Sequence, residues 1–538
     1  MFKDKRKLPI LLLIYLLNPV FVFGLISWLF LDFNGYKLKV NFTENICLAL
    51  IAYIFITLEN SIKFRKYIFW SIYILLSLKI FIDLSYYNLY GNSIGPSTIY
   101  ILMETNLTEV FEYFQANSSF FSICIIALLV WPHLIPYKHR DIKLNFLKFE
   151  LNNLFLIYIL IGTLFLYFFQ NLYIHNFYYK TWTSYKSYVE QSKLFDHLGL
   201  HNKIGKFKHV TSQSNPSKQL YVVVIGESTT RHKMGLYGYK RKTTPLLSSL
   251  DDELKVYTDV ISPATHTIPS LSELLTGYDL NKTHFKGDGS LIQLMNQAGF
   301  NTYWISNQRP VGLNENLITK LASASTKTYF LNINNYNLTT PYDNVVLLKL
   351  QELLSQDLNK TFIIIHLLGT HAYYKNRYPE SFNKFNTGSD FVKTLNDSEN
   401  EIVIEYDNAI LYNDYIVYNI IQKVKSLNLN SYVLYLSDHG EDVFEINHSA
   451  SHTETNGTKP MYDIPFVLWT SKKYNKTRSI DLDLHRPYML NDLIYSIADL
   501  SKVSFLGYLP KRSIFNKRFI ARNRIIFDSI NYDKHFKP

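Results

Sequence analysis

The sequence predicts two parts: a bundle of apolar helices, then an α/β sandwich around a largely parallel β-sheet. Two observations carry this. Residues 1 to 170 hold repeated apolar runs, and the rest alternates β-branched runs of strand length with amphipathic helical stretches. A third is that several of the later runs end abruptly in acids, hydroxyls or histidines. Ligands of open α/β sheets are held at such strand ends.

Hydrophobic residues make up 47% of the 538 positions and charged ones 18%, below the ~25% typical of soluble domains. The deficit falls in the first 170 residues. The formal charge of +11 raises nucleic acid as a partner, but no basic groove motif interleaved with aromatics is present, which excludes that class. Much of the surplus sits in short loops between apolar runs. Cys47 and Cys124 both lie inside apolar runs, so the later residues can form neither a disulfide framework nor a cysteine metal cluster.

Five spans are expected: Leu8–Leu31, about 46–58, 67–82, 120–135 and 154–169. The first is long enough for a ~30 Å core and lacks the small-residue end of a signal peptide. Lys3, Lys5, Arg6 and Lys7 precede it, Lys63, Arg65 and Lys66 follow the second span, and Lys138, Arg140, Lys143 and Lys148 follow the fourth. Residues 83–118 contain no Lys or Arg and carry Glu104, Glu109 and Glu112. Positive loops stay cytoplasmic, so the N-terminus is expected inside and everything after Phe169 outside. Lys37 and Lys39 are a mild exception. Residues 171–218, rich in Tyr and including Trp182, read as an interfacial linker. A turn-rich stretch at 212–217 then opens a domain from 219 to 538.

That domain begins with Tyr221-Val-Val-Val-Ile-Gly-Glu227, a strand buried on both faces that delivers a carboxylate. Val256–Ile261 leads to a turn, Thr265-His-Thr-Ile-Pro-Ser270, and a helix over Leu271–Leu275. Residues 302–308 form another strand and edge. Phe362–His366 leads to His371, and Tyr432–Ser437 to Asp438-His-Gly-Glu441. Asp463–Thr470 is a further strand. Helices are expected over 399–425 and 486–500.

Glu227, Asp438 and His439 are ligands suited to zinc or manganese. A Glu227 followed by Ser228, Thr229 and Thr230 also fits a plain helix start. Three acid- or histidine-bearing strand ends together favour the metal. Thr267, opening a helix in a Thr-x-Pro turn, is the expected nucleophile, since a helix N-terminus and a divalent cation both favour an alkoxide. Thr265 is the second candidate.

Gly226-Glu-Ser, Thr267-Ile-Pro-Ser270, Gly369-Thr-His371 and Ser437-Asp-His-Gly-Glu441 resemble the alkaline phosphatase/sulfatase superfamily. With a five-span anchor ahead of them, the chain resembles a bacterial phosphoethanolamine transferase. Residues 236–245, Ser306-Asn-Gln308, 406–414 and Thr105-Asn-Leu-Thr-Glu109 carry the likeness further. It implies an inner-membrane enzyme with a periplasmic sulfatase-like domain. Zn2+ would be held by Glu227, Thr267, Asp438 and His439, with a second ion admitted. Phosphoethanolamine would pass from phosphatidylethanolamine to a covalent adduct on Thr267, then to an envelope acceptor such as lipooligosaccharide core or lipid A. His371 and His452 would assist, with His448 the alternative to His452. The lipid A-modifying branch has disulfides in its catalytic domain; their absence here brings the chain closer to the branch acting on core sugars or other acceptors. A sulfatase would need Cys or Ser where Thr267 stands. A phosphoglycerol transferase of the lipoteichoic acid type shares the spans and the threonine. A non-catalytic binding protein would lack ligands that are all present here.

Overall fold

The computed structural model describes residues 5–31, 35–59, 61–90, 120–134, 148–213, 218–276, 288–308, 317–332, 340–386, 395–454 and 457–536. The expected lipid-side motif at 105–109 lies outside them. The described residues divide into two compact units, one up to Ser187 and one from Tyr188 onward.

All five apolar runs become helices: α1 (Ile10–Phe30), α2 (Gly35–Leu58), α3 (Ile62–Tyr90), α4 (Phe120–Leu134) and α5 (Asn153–Phe169). Three of them, over residues 12–30, 38–58 and 63–88, are long and apolar enough to cross a membrane. At about 1.5 Å per residue, α4 and α5 as described reach roughly 22–26 Å. The second helix starts about ten residues before the predicted run, because Lys37, Lys39 and Glu44 break the hydropathy without breaking the helix. Glu44 has partners. Lys79 of α3 is fully buried, 2.8 Å from each of Glu44, Asp83 and Asn45. Charges at membrane depth are tolerated when paired in this way. Glu44 also accepts a 2.7 Å hydrogen bond from Asn176, which caps helix α6 (Phe177–Leu198) by accepting from the Tyr178 and Tyr179 amides. A short antiparallel pair, β1 (Lys5–Pro9) with β2 (Lys148–Asn152), joins the segments ahead of α1 and α5.

The second unit is a three-layer sandwich. Its sheet contains β3 (Gln219–Gly226), β4 (Leu254–Val256), β5 (Asn301–Ser306), β6 (Lys327–Phe330), β7 (Lys360–His366), β8 (Asn430–Ser437) and β9 (Phe466–Thr470), in the order β4-β9-β8-β3-β7-β5-β6. Only β9 runs against the others, pairing antiparallel with β8 and β4. The central strand β3 is buried throughout. Alternate residues serve opposite faces: Tyr221, Val223 and Ile225 pack under α7 (Thr267–Thr276), α8 (Leu291–Gln297) and α11 (Leu493–Leu500). Leu220, Val222 and Val224 pack under α9 (Asn344–Leu354) and α10 (Asp397–Ser426). That two-sided burial is why the strand reads as an uninterrupted apolar run.

Two predicted elements are corrected. The single strand 256–261 splits: Leu254–Val256 edges the main sheet, while Val260–Ile261 pairs in parallel with Tyr488–Met489. The predicted helix 486–500 therefore starts only at Leu493, since its first residues are used in that pairing. Helix α10 extends two residues ahead of its predicted start, where Asn396 and Glu399 form a capping box.

Candidate metal centre and active site

Because β3, β5, β7 and β8 are parallel, their C-terminal ends share one edge of the sheet. Glu227 follows β3, Gln308 follows β5, His371 follows β7, and Asp438 and His439 follow β8. Thr267 starts α7, and Pro269 sits in the first turn, where its missing N–H costs no helical bond.

Glu227, Asp438 and His439 each bring a donor atom within 4.8 Å of the others. Oε1 of Glu227 accepts hydrogen bonds from the hydroxyls of Thr267 and Ser228, both at 3.0 Å, and lies 3.2 Å from Nε2 of His439. Oδ1 of Asp438 accepts the Ser228 and His439 amides. Nδ1–H of His439 donates to the Gly440 carbonyl at 2.8 Å, turning Nε2 toward the carboxylates. Oδ2 of Asp438 and Nε2 of His439 are buried, 3.5 Å apart, and neither has a hydrogen-bond partner of good geometry among the described residues. Buried polar atoms are ordinarily satisfied, so two facing orphans beside a third donor and a threonine hydroxyl fit a cation. The donor set of two carboxylates, one imidazole and a hydroxyl oxygen is one that zinc accepts.

Electrostatics point the same way. Burial and the neighbouring Glu227 push the Asp438 carboxyl up. Burial alone would lower His439, but Asp438 and Glu227 outweigh it and raise the imidazole to about 10. Carboxylates and an imidazole buried this close shift one another strongly, the setting in which a cation can replace a proton.

A second group stands beside the first. Glu441, His439 and His452 also bring donor atoms within 4.8 Å of one another. Glu441 is held by the Tyr374 hydroxyl on Oε1 at 3.1 Å and by His452 Nδ1 on Oε2 at 2.7 Å. The His452 ring lies 4.4 Å from that of His439. His448 is exposed. Burial pushes the Glu441 carboxyl up, against the lowering effect of His439 and the Tyr374 hydroxyl, and pushes His371 down to about 4, with Arg377 adding to the latter. Burial, reinforced by His439, holds His452 well below the usual histidine range. Both imidazoles are therefore neutral, as a ligand or proton acceptor must be.

Backbone geometry explains the glycines. Gly369 has φ +57, and a Cβ there would lie 2.7 Å from the Glu227 nitrogen and 2.8 Å from its oxygen. A Cβ on Gly440 would lie 2.1 Å from the Pro460 carbonyl oxygen. Ser228, although not glycine, has φ 55. It is held there by its amide bond to Asp438 and by Tyr406 and Thr370 hydroxyls donating to its carbonyl. Strain of this kind persists where the surroundings fix it.

Thr265 does not reach the carboxylates; its hydroxyl pairs with Nδ1 of His266 at 3.0 Å. His266 is a neighbour that sequence reasoning missed. It is buried, with its ring 4.8 Å from that of His452, and no feature of the Thr-His-Thr string marks it out. Gln308, present in the sequence only as part of a short motif, places Nε2 3.4 Å from Oε2 of Glu227.

Residues 219–503 match the model of the family described as Sulfatase. The chain is 35% identical over 479 residues to the phosphoethanolamine transferase EptC of Escherichia coli K12, covering 82% of this chain and 81% of that one. Among solved structures, the periplasmic domain of E. coli EptC in complex with Zn superposes with a TM-score of 0.58 at 38% identity, covering 62% of this chain and 95% of that one. The integral membrane lipooligosaccharide phosphoethanolamine transferase EptA of Neisseria meningitidis gives a TM-score of 0.69 over 94% of this chain and 98% of that one. At 20% identity that last likeness is one of fold.

Proposed function

The chain belongs to the sulfatase family and, within it, to the phosphoethanolamine transferases, and we propose that it takes its group from phosphatidylethanolamine through Thr267. The observation that supports this is the Thr267 hydroxyl bonded to Glu227 Oε1 at 3.0 Å, beside Oδ2 of Asp438 and Nε2 of His439, which have no hydrogen-bond partner among the described residues. Glu227, Thr267, Asp438 and His439 would hold zinc, which when bound supplies a Lewis acid that lowers the hydroxyl's pKa and offsets charge on the phosphoryl oxygens.

Glu227 orients the threonine oxygen and accepts its hydrogen bond, so the nucleophile is aimed before substrate arrives. Thr267 Oγ1 forms a bond to phosphorus as the bond to the diacylglycerol oxygen breaks; the hydroxyl sheds its proton along its hydrogen bond to Glu227, and one proton is passed on to the departing diacylglycerol oxygen. In the second half the acceptor's hydroxyl or phosphate oxygen displaces Thr267; the proton shed by a hydroxyl passes to a neutral imidazole, and the Thr267 oxygen regains one proton as it leaves. His452, whose Nδ1 is engaged by Glu441, leaves Nε2 for this work; His371 is the other candidate. The pair formed by Glu441 and His452 also offers donors for a second ion. The acceptor is an envelope glycolipid, lipooligosaccharide core or lipid A, and the anchor keeps the site in the periplasm at the inner-membrane surface, with the N-terminus cytoplasmic.

The test uses the purified full chain with phosphatidylethanolamine in mixed micelles. Thr267→Ala should abolish diacylglycerol release, and intact-mass analysis of the wild type should find a phosphoethanolamine adduct on the peptide containing Thr267. Full release by the variant would refute the assignment.

A further inference from the structure

Glu227 presents its two oxygens to different surroundings. Oε1 meets Thr267, Ser228 and His439, whereas Oε2 has one neighbour within hydrogen-bond reach among the described residues, Nε2 of Gln308 at 3.4 Å. The same nitrogen donates to the Leu367 carbonyl at 3.1 Å. A carbonyl and a carboxylate only accept, so the amide of Gln308 must turn its NH2 toward both, and its two N–H groups suffice for the two acceptors.

This bridge starts from a fixed support. Gln308 lies two residues past the end of β5, and its backbone amide donates to the Ser306 hydroxyl at 3.0 Å. The adjacent Asn307 is fully buried, its amide donating to the His366 carbonyl and its side chain to Asp343 at 2.9 Å. Asp343 also accepts the Leu368 and Gly369 amides, both at 2.9 Å. The turn that supplies the Leu367 carbonyl is thus clamped by the segment that carries Gln308. On its other side, the Thr370 amide donates to the Glu227 carbonyl at 3.0 Å.

We infer that Gln308 is a positioning residue for Glu227: it holds Oε2 away from the cluster, so that the side chain offers only Oε1 beside Thr267, Asp438 and His439. This deepens the metal reading above and rests on it. A carboxylate free to rotate could offer either oxygen or both, weakening the fit to a small ion and loosening the hydrogen bond that aims Thr267. Groups that orient metal ligands in this way are worth about 10–100-fold in metal affinity.

The experiment measures Zn2+ affinity of the full chain, stripped of metal, by competition with a chromophoric chelator, together with the melting temperature of the metal-free protein. Gln308→Met keeps the length and apolar bulk of the side chain and removes both donors. Gln308→Asn keeps the amide but falls one methylene short, and serves if the first variant does not fold. Each should bind Zn2+ about 10–100-fold more weakly, with the metal-free melting temperature unchanged and with kcat falling more than KM rises at saturating Zn2+. Affinity within threefold of the wild type would overturn the inference while leaving the zinc centre standing. A matching fall in metal-free stability would assign Gln308 to folding and overturn it as well. A wild-type chain that takes up no Zn2+ would sink the metal reading and this inference together.

Discussion

Oε2 of Glu441 lies 2.7 Å from Nδ1 of His452, eleven residues downstream. That contact fixes which imidazole nitrogen remains available, because the carboxylate occupies Nδ1, and it sets His452 against His439 at a ring distance of 4.4 Å. A carboxylate behind a histidine orients the ring and favours one tautomer.

The first prediction follows from the contrast between His452 and its exposed neighbour. His452→Ala should slow transfer to the acceptor by roughly 10²–10⁴-fold, the range for a lost general acid or base. His448→Ala should stay within twofold. Glu441→Gln should lower the rate by less than the loss of His452 itself, since a neutral amide can still touch the ring. Steady-state turnover of the three purified variants checks this, and equal rates for His448→Ala and His452→Ala would defeat it.

A second prediction concerns Gly369. Its positive φ and the 2.7 Å approach that a Cβ would make to the Glu227 backbone leave no room for Gly369→Ala without moving the residue that bears the central carboxylate. The left-handed backbone alone costs about 1–3 kcal/mol for a non-glycine residue. The variant should melt several degrees lower and retain less zinc after dialysis. Calorimetry and metal analysis provide the readout.

The third prediction is one of stability against pH. Asp463 is buried among Arg231, His232 and Lys459, at 2.7, 2.7 and 2.5 Å, and accepts a hydrogen bond from the Tyr532 hydroxyl. Burial alone would raise its carboxyl, but the His232 hydrogen bond and the charges of Arg231 and Lys459 outweigh that and hold it well below the usual carboxylate range. A carboxyl with a lowered folded-state pKa contributes its full stabilisation above the unfolded value of about 3.9 and loses it as pH falls further. Asp463→Asn should therefore cost roughly 2–3 kcal/mol near neutrality, less than the ~3–5 of a fully enclosed pair because Lys459 and His232 reach solvent. The deficit should shrink as pH drops below about 4. Urea unfolding of wild type and variant at several pH values measures it; a deficit that does not change with pH would refute the charge argument.

Much of this was legible in the chain because two-sided burial leaves a strong mark. Strands β3, β7 and β8 are apolar along their central residues, and each ends where the backbone reaches the sheet edge and polar side chains become useful, so Glu227, Asp438 and His439 stand out. Local patterning misled where a partner distant in sequence decided the outcome. The stretch 256–261 reads as one strand, but pairing of Val260–Ile261 with Tyr488–Met489 divides it and shortens the helix expected over 486–500. In the membrane unit, Glu44 interrupts the hydropathy of α2, although Lys79 of another helix neutralises it in place.

The sequence by itself determined the α/β architecture and marked Glu227, Asp438 and His439 as candidate ligands, since strand burial and ligand chemistry are properties of single segments; Glu441, which joins a second group of donors, it did not mark. Only the tertiary structure decided which histidine stands beside His439. His448 and His452 sit four residues apart in one irregular stretch with no periodicity to assign a face. The choice rests on Glu441 and His439, which come within reach of His452 once Asp442–Val443 pairs antiparallel with Ala450–Ser451. The same holds for Gln308. A glutamine after a strand has no signature of its own, and its relation to Glu227 exists only because parallel strands set their ends side by side.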